Sequence, residues 1–383
     1  MTDDPPPHPA LLPAGFTDLL PPDAEAEARL TETLTASFTA HGYQRVKPPL
    51  VEFESTLFAG SGAAVAEQTF RFMDPESQRM MGLRADTTPQ IARIATTRLA
   101  HAPRPLRLAY AGQCLLVRGS HLAPERQVAQ AGIELIGPDL PAADAEIITA
   151  AAAALHAAGL ESISIDLTMP PLIPALLGDA APHAAPHAAL IRALDRKDAA
   201  DITAQGGSLA PVLLALLHAA GPAEPGLAAL AAIALPPQIR LLADRLAATV
   251  AAIRAEAPEL RLTIDPVEFR GYRYHTGIAV TIFAPGRQAE LGRGGRYLCD
   301  NGESATGITL YPDTILAVAP RHAPRPRIFL PHGTAPAIAA SCRAQDFATI
   351  IGLVPAADDA AEARRLHCTH LWRADRALPL QGS

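Results

Sequence analysis

The chain has 383 residues, 49% of them apolar and 4% aromatic, with a formal net charge of −7. That length supports a large core and two or three domains, and an acidic balance in which Lys is nearly absent argues against a broad nucleic-acid surface. Cys114, Cys299, Cys342 and Cys368 lack the spacing of a zinc site or a disulfide framework, so a reduced, cytoplasmic setting is the default, and the apolar runs are too short to span a bilayer.

Residues 1–11 carry acids and prolines where a secretory signal would carry basic and then apolar residues, and they read as a disordered lead. Pro21-Pro22-Asp23 then opens an amphipathic helix with acids in its first turn, Gly42 at its end and Leu30, Leu34 and Phe38, with His41 next along it, as its inward stripe. The stretch 45–60 reads as a strand whose Pro48-Pro49 pair suits an edge or a dimer contact. Residues 70–73 and 79–84 bracket a DPESQ turn as a hairpin. After it, Asp86, Thr87 or Thr88 can cap a helix from Pro89 to about residue 100.

Residues 106–137 form two long strands joined by a polar loop. From Arg126 the period of two sets Arg126, Val128, Gln130, Gly132 and Glu134 on one face and Gln127, Ala129, Ala131, Ile133 and Leu135 on the other. The second face is core. The first arranges a cation, an amide and a carboxylate around a glycine that leaves room, as the floor of a polar-ligand pocket would; a solvated sheet face would carry the same residues.

An Ala-rich helix over 141–159 and a strand over 162–168 follow. Residues 170–257 are Ala- and Leu-rich with Pro and Gly breaks and read as a helical insertion; His183 and His187 stand four apart there without a third ligand, so no metal is expected. Strands return at 260–264, 274–285 and 288–299. Arg270 leads into Tyr274 and His275, which sets a guanidinium suited to bidentate capture of a carboxylate beside two hydrogen-bonding rings. GRGGRY at 292–297 lacks the helix of a phosphate cradle and reads as a turn between strands, with Tyr297 able to point into a pocket. The tail, 325–383, alternates strand and helix as a small α/β unit.

Over residues 12–318 the chain resembles the class II catalytic core of histidyl-tRNA synthetase. The LPAGFTDLLP opening, the helix and KPPLVE strand similar to motif 1, LRADTTPQIAR, the hairpin similar to motif 2, FRGYRYHTG and GGRY occur in that family's order. The resemblance implies an α+β fold, a class II aminoacyl-tRNA synthetase-like antiparallel sheet flanked by helices. Residues 12–169 and 258–320 would build this core, 170–257 the helical insertion and 325–383 a truncated C-terminal α/β unit. It also implies a histidine pocket. Asp86 would bind the amino group with Thr88 beside it, and Gln130 and Glu134 would hold the amino group and imidazole. Arg270 falls on the arginine of the histidine-specific RGLDYY motif, and Tyr274, His275 and Tyr297 on its aromatic walls, His275 replacing a tyrosine.

The nucleotide half departs from that family. Leu116 stands at the arginine that grips the α-phosphate, Arg118 at the acid two residues on, Val128 at the phenylalanine that stacks on adenine, and Thr314 at the motif 3 arginine. Each lost cation removes on the order of 3 kcal/mol of transition-state stabilisation, and the tail lacks the basic face of an anticodon-binding domain. Amino-acid contacts without an ATP clamp resemble the regulatory subunits of ATP phosphoribosyltransferase, which are not themselves catalytic. This resemblance implies a cytoplasmic protein with no cofactor, metal, membrane or tRNA partner. It implies a homodimer, formed around residues 45–53, inside a hetero-oligomer with the short-form catalytic subunit, commonly four plus four. That assembly makes phosphoribosyl-ATP in the first step of histidine biosynthesis, with L-histidine as allosteric feedback effector. A divergent active histidyl-tRNA synthetase and a stand-alone histidine sensor are the alternative readings.

Overall fold

Helix α1 (Asp23–Ala40) forms where Asp23 and Glu25 complement the positive end of the helix dipole and Leu30, Leu34 and Phe38 recur at four-residue spacing to make one buried stripe. His41, expected next along it, is exposed at the C-cap with its ring against the Ser37 carbonyl. The structure, a computed structural model, describes residues 11–120, 123–178, 188–268, 274–285, 290–320 and 323–380. Residues 1–10, His183, His187 and Arg270 therefore lie outside the described residues.

Where one strand is expected over 45–60, the chain makes two short ones, β1 (Gln44–Arg45) and β2 (Val51–Phe53), then helix α2 (Glu54–Leu57) and a 3-10 stretch, Gly60–Gln68. The prolines break the strand because neither supplies a ladder N–H. Their carbonyls are taken by side chains instead, Pro48 by Arg84 at 3.3 Å and Pro49 by Gln90 at 2.8 Å. The expected hairpin is present as β3 (Arg71–Met73) and β4 (Met80–Leu83), with β4 central in a three-stranded sheet. Helix α3 (Thr88–Thr96) starts one residue earlier than expected and ends sooner, and no side-chain cap forms at Thr87.

The main sheet contains β5 (Leu106–Leu115) and β6 (Gln127–Gly137), then, beyond helix α4 (Pro141–Ala157), β7 (Ser164–Thr168). Helices α5 (Leu172–Leu177), α6 (Ala188–Asp195), α7 (Ala199–Gln205) and α8 (Ala210–His218) lead to β8 (Gly221–Pro222), α9 (Ala223–Ala232) and α10 (Pro237–Glu256). Strands β9 (Arg261–Asp265), β10 (Ala279–Phe283), β11 (Glu290–Leu298) and β12 (Ser304–Leu310) and helix α11 (Pro312–Leu316) complete this part. The strand order is β1-β5-β6-β12-β11-β10-β7-β9-β8. Pairing is antiparallel from β5 to β7 and parallel only for β1 with β5 and β7 with β9, so the expected antiparallel sheet becomes mixed at its two ends.

The two sheet faces carry different clusters. Ala131, Ile133 and Leu135 of β6 pack with Leu30, Leu34 and Phe38 of α1, with Ile147 and Ile148 of α4, and with Leu190, Leu213 and Leu216 of the 170–257 segment. On the opposite face Leu106, Leu108 and Tyr110 of β5 and Tyr297 of β11 pack against Ile91 and Ala95 of α3. GRGGRY is not a turn but the interior of β11, paired on both sides. Its glycine content answers a packing demand: a Cβ on Gly294 would sit 2.0 Å from the Gly307 carbonyl oxygen of β12.

Residues 1–320 form one compact unit and 321–383 another. The second contains β13 (Arg327–Leu330), α12 (Pro336–Ala344), β14 (Ala348–Ile351), α13 (Asp359–Arg365), β15 (His370–Arg373) and β16 (Arg376–Pro379), with sheet order β14-β13-β15-β16. Among the described residues no helix is long and apolar enough to cross a membrane.

Candidate functional site

Strand β4 delivers the segment Arg84–Thr88 against the floor made by β5 and β6. The Thr87 N–H donates to Gln130 Oε1 at 3.1 Å, and the Cys114 thiol donates to the same oxygen at 3.2 Å. Both contacts fix the amide oxygen, which leaves the NH2 on the Asp86 side, where it favours the carboxylate. Asp86 also accepts from the Thr88 N–H at 3.4 Å. Four residues along the same face of β6, Glu134 accepts the hydroxyls of Thr88 and Tyr297, each at 2.9 Å. Tyr110 joins this row through Thr309 at 2.7 Å. Opposite, the Tyr274 ring lies 4.1 Å from the His275 ring and 6.5 Å from that of Tyr297, edge-on to the latter.

The space is kept by glycine. At Gly307 on β12, register partner of Glu134, a Cβ would lie 1.8 Å from Glu134 Oε2. Only glycine lets the carboxylate lie flat across the sheet.

Burial dominates the electrostatics. It raises Glu134 to about 8, against the partial relief of two hydroxyl donors, with the Asp86 charge adding to the rise. Asp86 is half-buried by surface area, but the protein packed around it raises its pKa above the usual range, offset by the Thr88 N–H, the Gln130 amide and the Thr87 N–H. His275 is depressed to about 4 by burial, and its Nδ1–H donates to the Arg296 carbonyl at 3.1 Å, so the ring is neutral at pH 7. Burial pushes the Cys114 thiol up to about 12, which keeps it a donor rather than a nucleophile. Two acids set close together, one buried and one half-buried, favour a ligand that brings positive charge or N–H donors.

Asp86, Thr88, Gln130, Glu134, Tyr274, His275 and Tyr297 are thus gathered on one side of the sheet. His275 is mostly turned to the backbone of β11. Arg126, expected on the floor face, is used elsewhere: it donates to the carbonyls of Leu116 at 3.2 Å and Ala14 at 3.1 Å and lies over the Phe16 and Phe70 rings. Leu116 follows β5, Val128 pairs with Cys114, and Thr314 lies in α11 beside Asp313, which accepts the Ala129 N–H at 2.8 Å. Sequence reasoning misses Tyr110, Cys114 and Thr309. The period of two on β5 could have flagged the first two, but Thr309 depends on knowing that β12 neighbours β6. Among the described residues no three His, Cys, Asp or Glu side chains group as a metal site requires.

Residues 15–315 match the family model described as histidyl-tRNA synthetase. The chain is 54% identical over 361 residues to the ATP phosphoribosyltransferase regulatory subunit of Paramagnetospirillum magneticum, which covers 94% of this chain and 95% of the relative. The chain belongs to the ATP phosphoribosyltransferase regulatory subunit family. A second member, from Rhodospirillum centenum, is 52% identical over 383 residues, 100% of this chain and 99% of its own. The fold is shared with a Bacillus halodurans protein described as an ATP phosphoribosyltransferase regulatory subunit/histidyl-tRNA synthetase, at a TM-score of 0.80 and 22% identity over 94% of this chain and 97% of that one. The family, the class II synthetase-like fold and the regulatory rather than catalytic standing implied by the sequence resemblance all agree with these relatives.

Proposed function

We propose that this regulatory subunit senses L-histidine and transmits it to a short-form ATP phosphoribosyltransferase catalytic subunit, which depends on it for activity. The observation that carries this reading is the intact network of Asp86, Thr88, Gln130, Glu134 and Tyr297, beside nucleotide-side positions occupied by Leu116, Val128 and Thr314. The network offers acids to an ammonium and to an imidazole N–H. The nucleotide side offers no cation at those three positions, and adenylate formation relies on such charges.

Reciprocal linkage requires that histidine and the active state of the partner oppose one another, by a coupling of roughly 1 to 3 kcal/mol. The protein works in the cytoplasm as a homodimer joined near residues 45–53 within a hetero-oligomer, without tRNA. Phosphoribosyl-ATP formation by the purified short-form subunit should require this chain and fall when histidine is added. A catalytic subunit indifferent to the chain and to histidine would refute the proposal. Histidine-dependent pyrophosphate–ATP exchange should be undetectable; measurable exchange would mark a divergent synthetase.

A further inference from the structure

Among the described residues the proposed pocket accounts for an ammonium and a ring, but an amino acid also carries a carboxylate, and Arg270, the cation that the sequence offers for it, lies outside the described residues. Strand β11 supplies a cation for it. Near its start Ile282 of β10 pairs with Gly292 while Phe283 pairs with Glu290, so Leu291 is the extra residue of a bulge. Leu291 is buried in the core cluster of the opposite face. The bulge resets the alternation, and from there Arg293, Gly295 and Tyr297 share the face on which Tyr297 meets Glu134, while Arg296 turns away to Asp144.

Across the sheet Arg293 stands in one row with Thr309, Gly132 and Tyr110, one step from the Gly295, Gly307 and Glu134 row. The guanidinium pairs with Glu290 at 2.8 Å and lies close enough to the Tyr311 hydroxyl and to Asp86 for its charge to act on both. Arg293 and Glu290 keep 45% and 33% of their side chains exposed, so their ion pair is weak and can give way to a better anion.

We infer that Arg293 is the residue that selects for the α-carboxylate of the amino-acid effector, with Asp86 taking the ammonium and Glu134 the ring. This rests on the reading of the pocket as a histidine site. A planar fork matches a carboxylate in two parallel hydrogen bonds, a match that an ammonium cannot make.

The test is calorimetry with two probes, L-histidine and histamine, which lacks the carboxylate. The intact protein should bind histidine more tightly by about tenfold to a hundredfold, the range of a charge-assisted contact. Arg293→Ala should remove that preference by weakening histidine while leaving histamine unchanged, and Arg293→Lys should restore part of it. Equal unfolding midpoints, or unchanged histamine affinity, separate the effect from misfolding. If Arg293→Ala keeps the full preference, or weakens both probes alike, this inference fails while the pocket stands. If the intact protein binds neither probe, the pocket reading fails and takes the inference with it.

Discussion

Tyr297 of β11 and Glu134 of β6 meet across β12, the phenol donating to Oε2 at 2.9 Å with both residues only 1% exposed. Burial raises the carboxyl from 4.5 to about 8, so the folded protein holds a proton that the unfolded chain releases. A pKa raised by folding gives stability that is full below the unfolded value and is lost as pH rises through the folded one. Stability should therefore fall between about pH 4.5 and about pH 8, by at most about 1.4 kcal/mol per pH unit from this group. Glu134→Gln removes the ionisation, so its denaturant-unfolding free energy should vary less over that window. An identical slope in both proteins would show that the proton lies elsewhere.

Gly307→Ala tests the room around the same carboxylate. The added methyl would meet Glu134 Oε2 at 1.8 Å, and the buried side chain has its two hydroxyl partners to lose. Overpacking should cost about 1 to 3 kcal/mol in stability, and calorimetric histidine binding should be lost with it. A variant that binds histidine normally would mean that Glu134 can sit elsewhere without consequence.

The pocket floor is legible in the sequence because alternation along β6 alone separates Gln130 and Glu134 from Ala131, Ile133 and Leu135. What is not legible depends on neighbours far along the chain. GRGGRY carries the local signature of a turn, but its glycines exist because β10 and β12 press on β11 from both sides. The Pro48-Pro49 break likewise depends on Arg84 and Gln90, whose side chains reach back to carbonyls that a local reading assigns to a strand. Alternation along β5 does put Cys114 on the pocket face, but that its thiol reaches Gln130 Oε1 at 3.2 Å depends on the register of the β5–β6 hairpin.

Arg296 and Asp144 form a buried pair at 2.8 Å, 2% and 0% exposed, that ties β11 to α4 directly behind the pocket. Arg245 lies 3.5 Å from the same carboxylate, yet burial still outweighs both cations and raises the Asp144 pKa. Asp144→Ala leaves the buried Arg296 guanidinium with only the exposed Asp139 carboxylate, at 3.3 Å, as an anionic partner and should cost up to about 3 kcal/mol in urea unfolding. The double variant Asp144→Leu with Arg296→Met should recover most of that loss. If the double variant is as unstable as the single one, the cost comes from packing rather than from a stranded charge.

Arg126 holds the segment before α1 against the end of the β5–β6 hairpin. Its N–H donates to the Gly15 carbonyl at 2.8 Å, its guanidinium to those of Ala14 and Leu116, and it lies 4.9 Å and 5.0 Å from the centres of the Phe16 and Phe70 rings. Arg126→Ala removes two donors and both cation–π contacts but keeps the backbone bond, so a stability loss of about 1 to 2 kcal/mol is expected. The local effect should be larger than the global one. Amides of residues 14–17 should exchange with solvent well before those of α1, and Arg126→Lys should rescue little, because a lysine lacks the planar face that two rings can stack on. Unchanged exchange at residues 14–17 in Arg126→Ala would mean that the segment is held by its own turn, in which the Phe16 N–H donates to the Pro13 carbonyl at 3.1 Å.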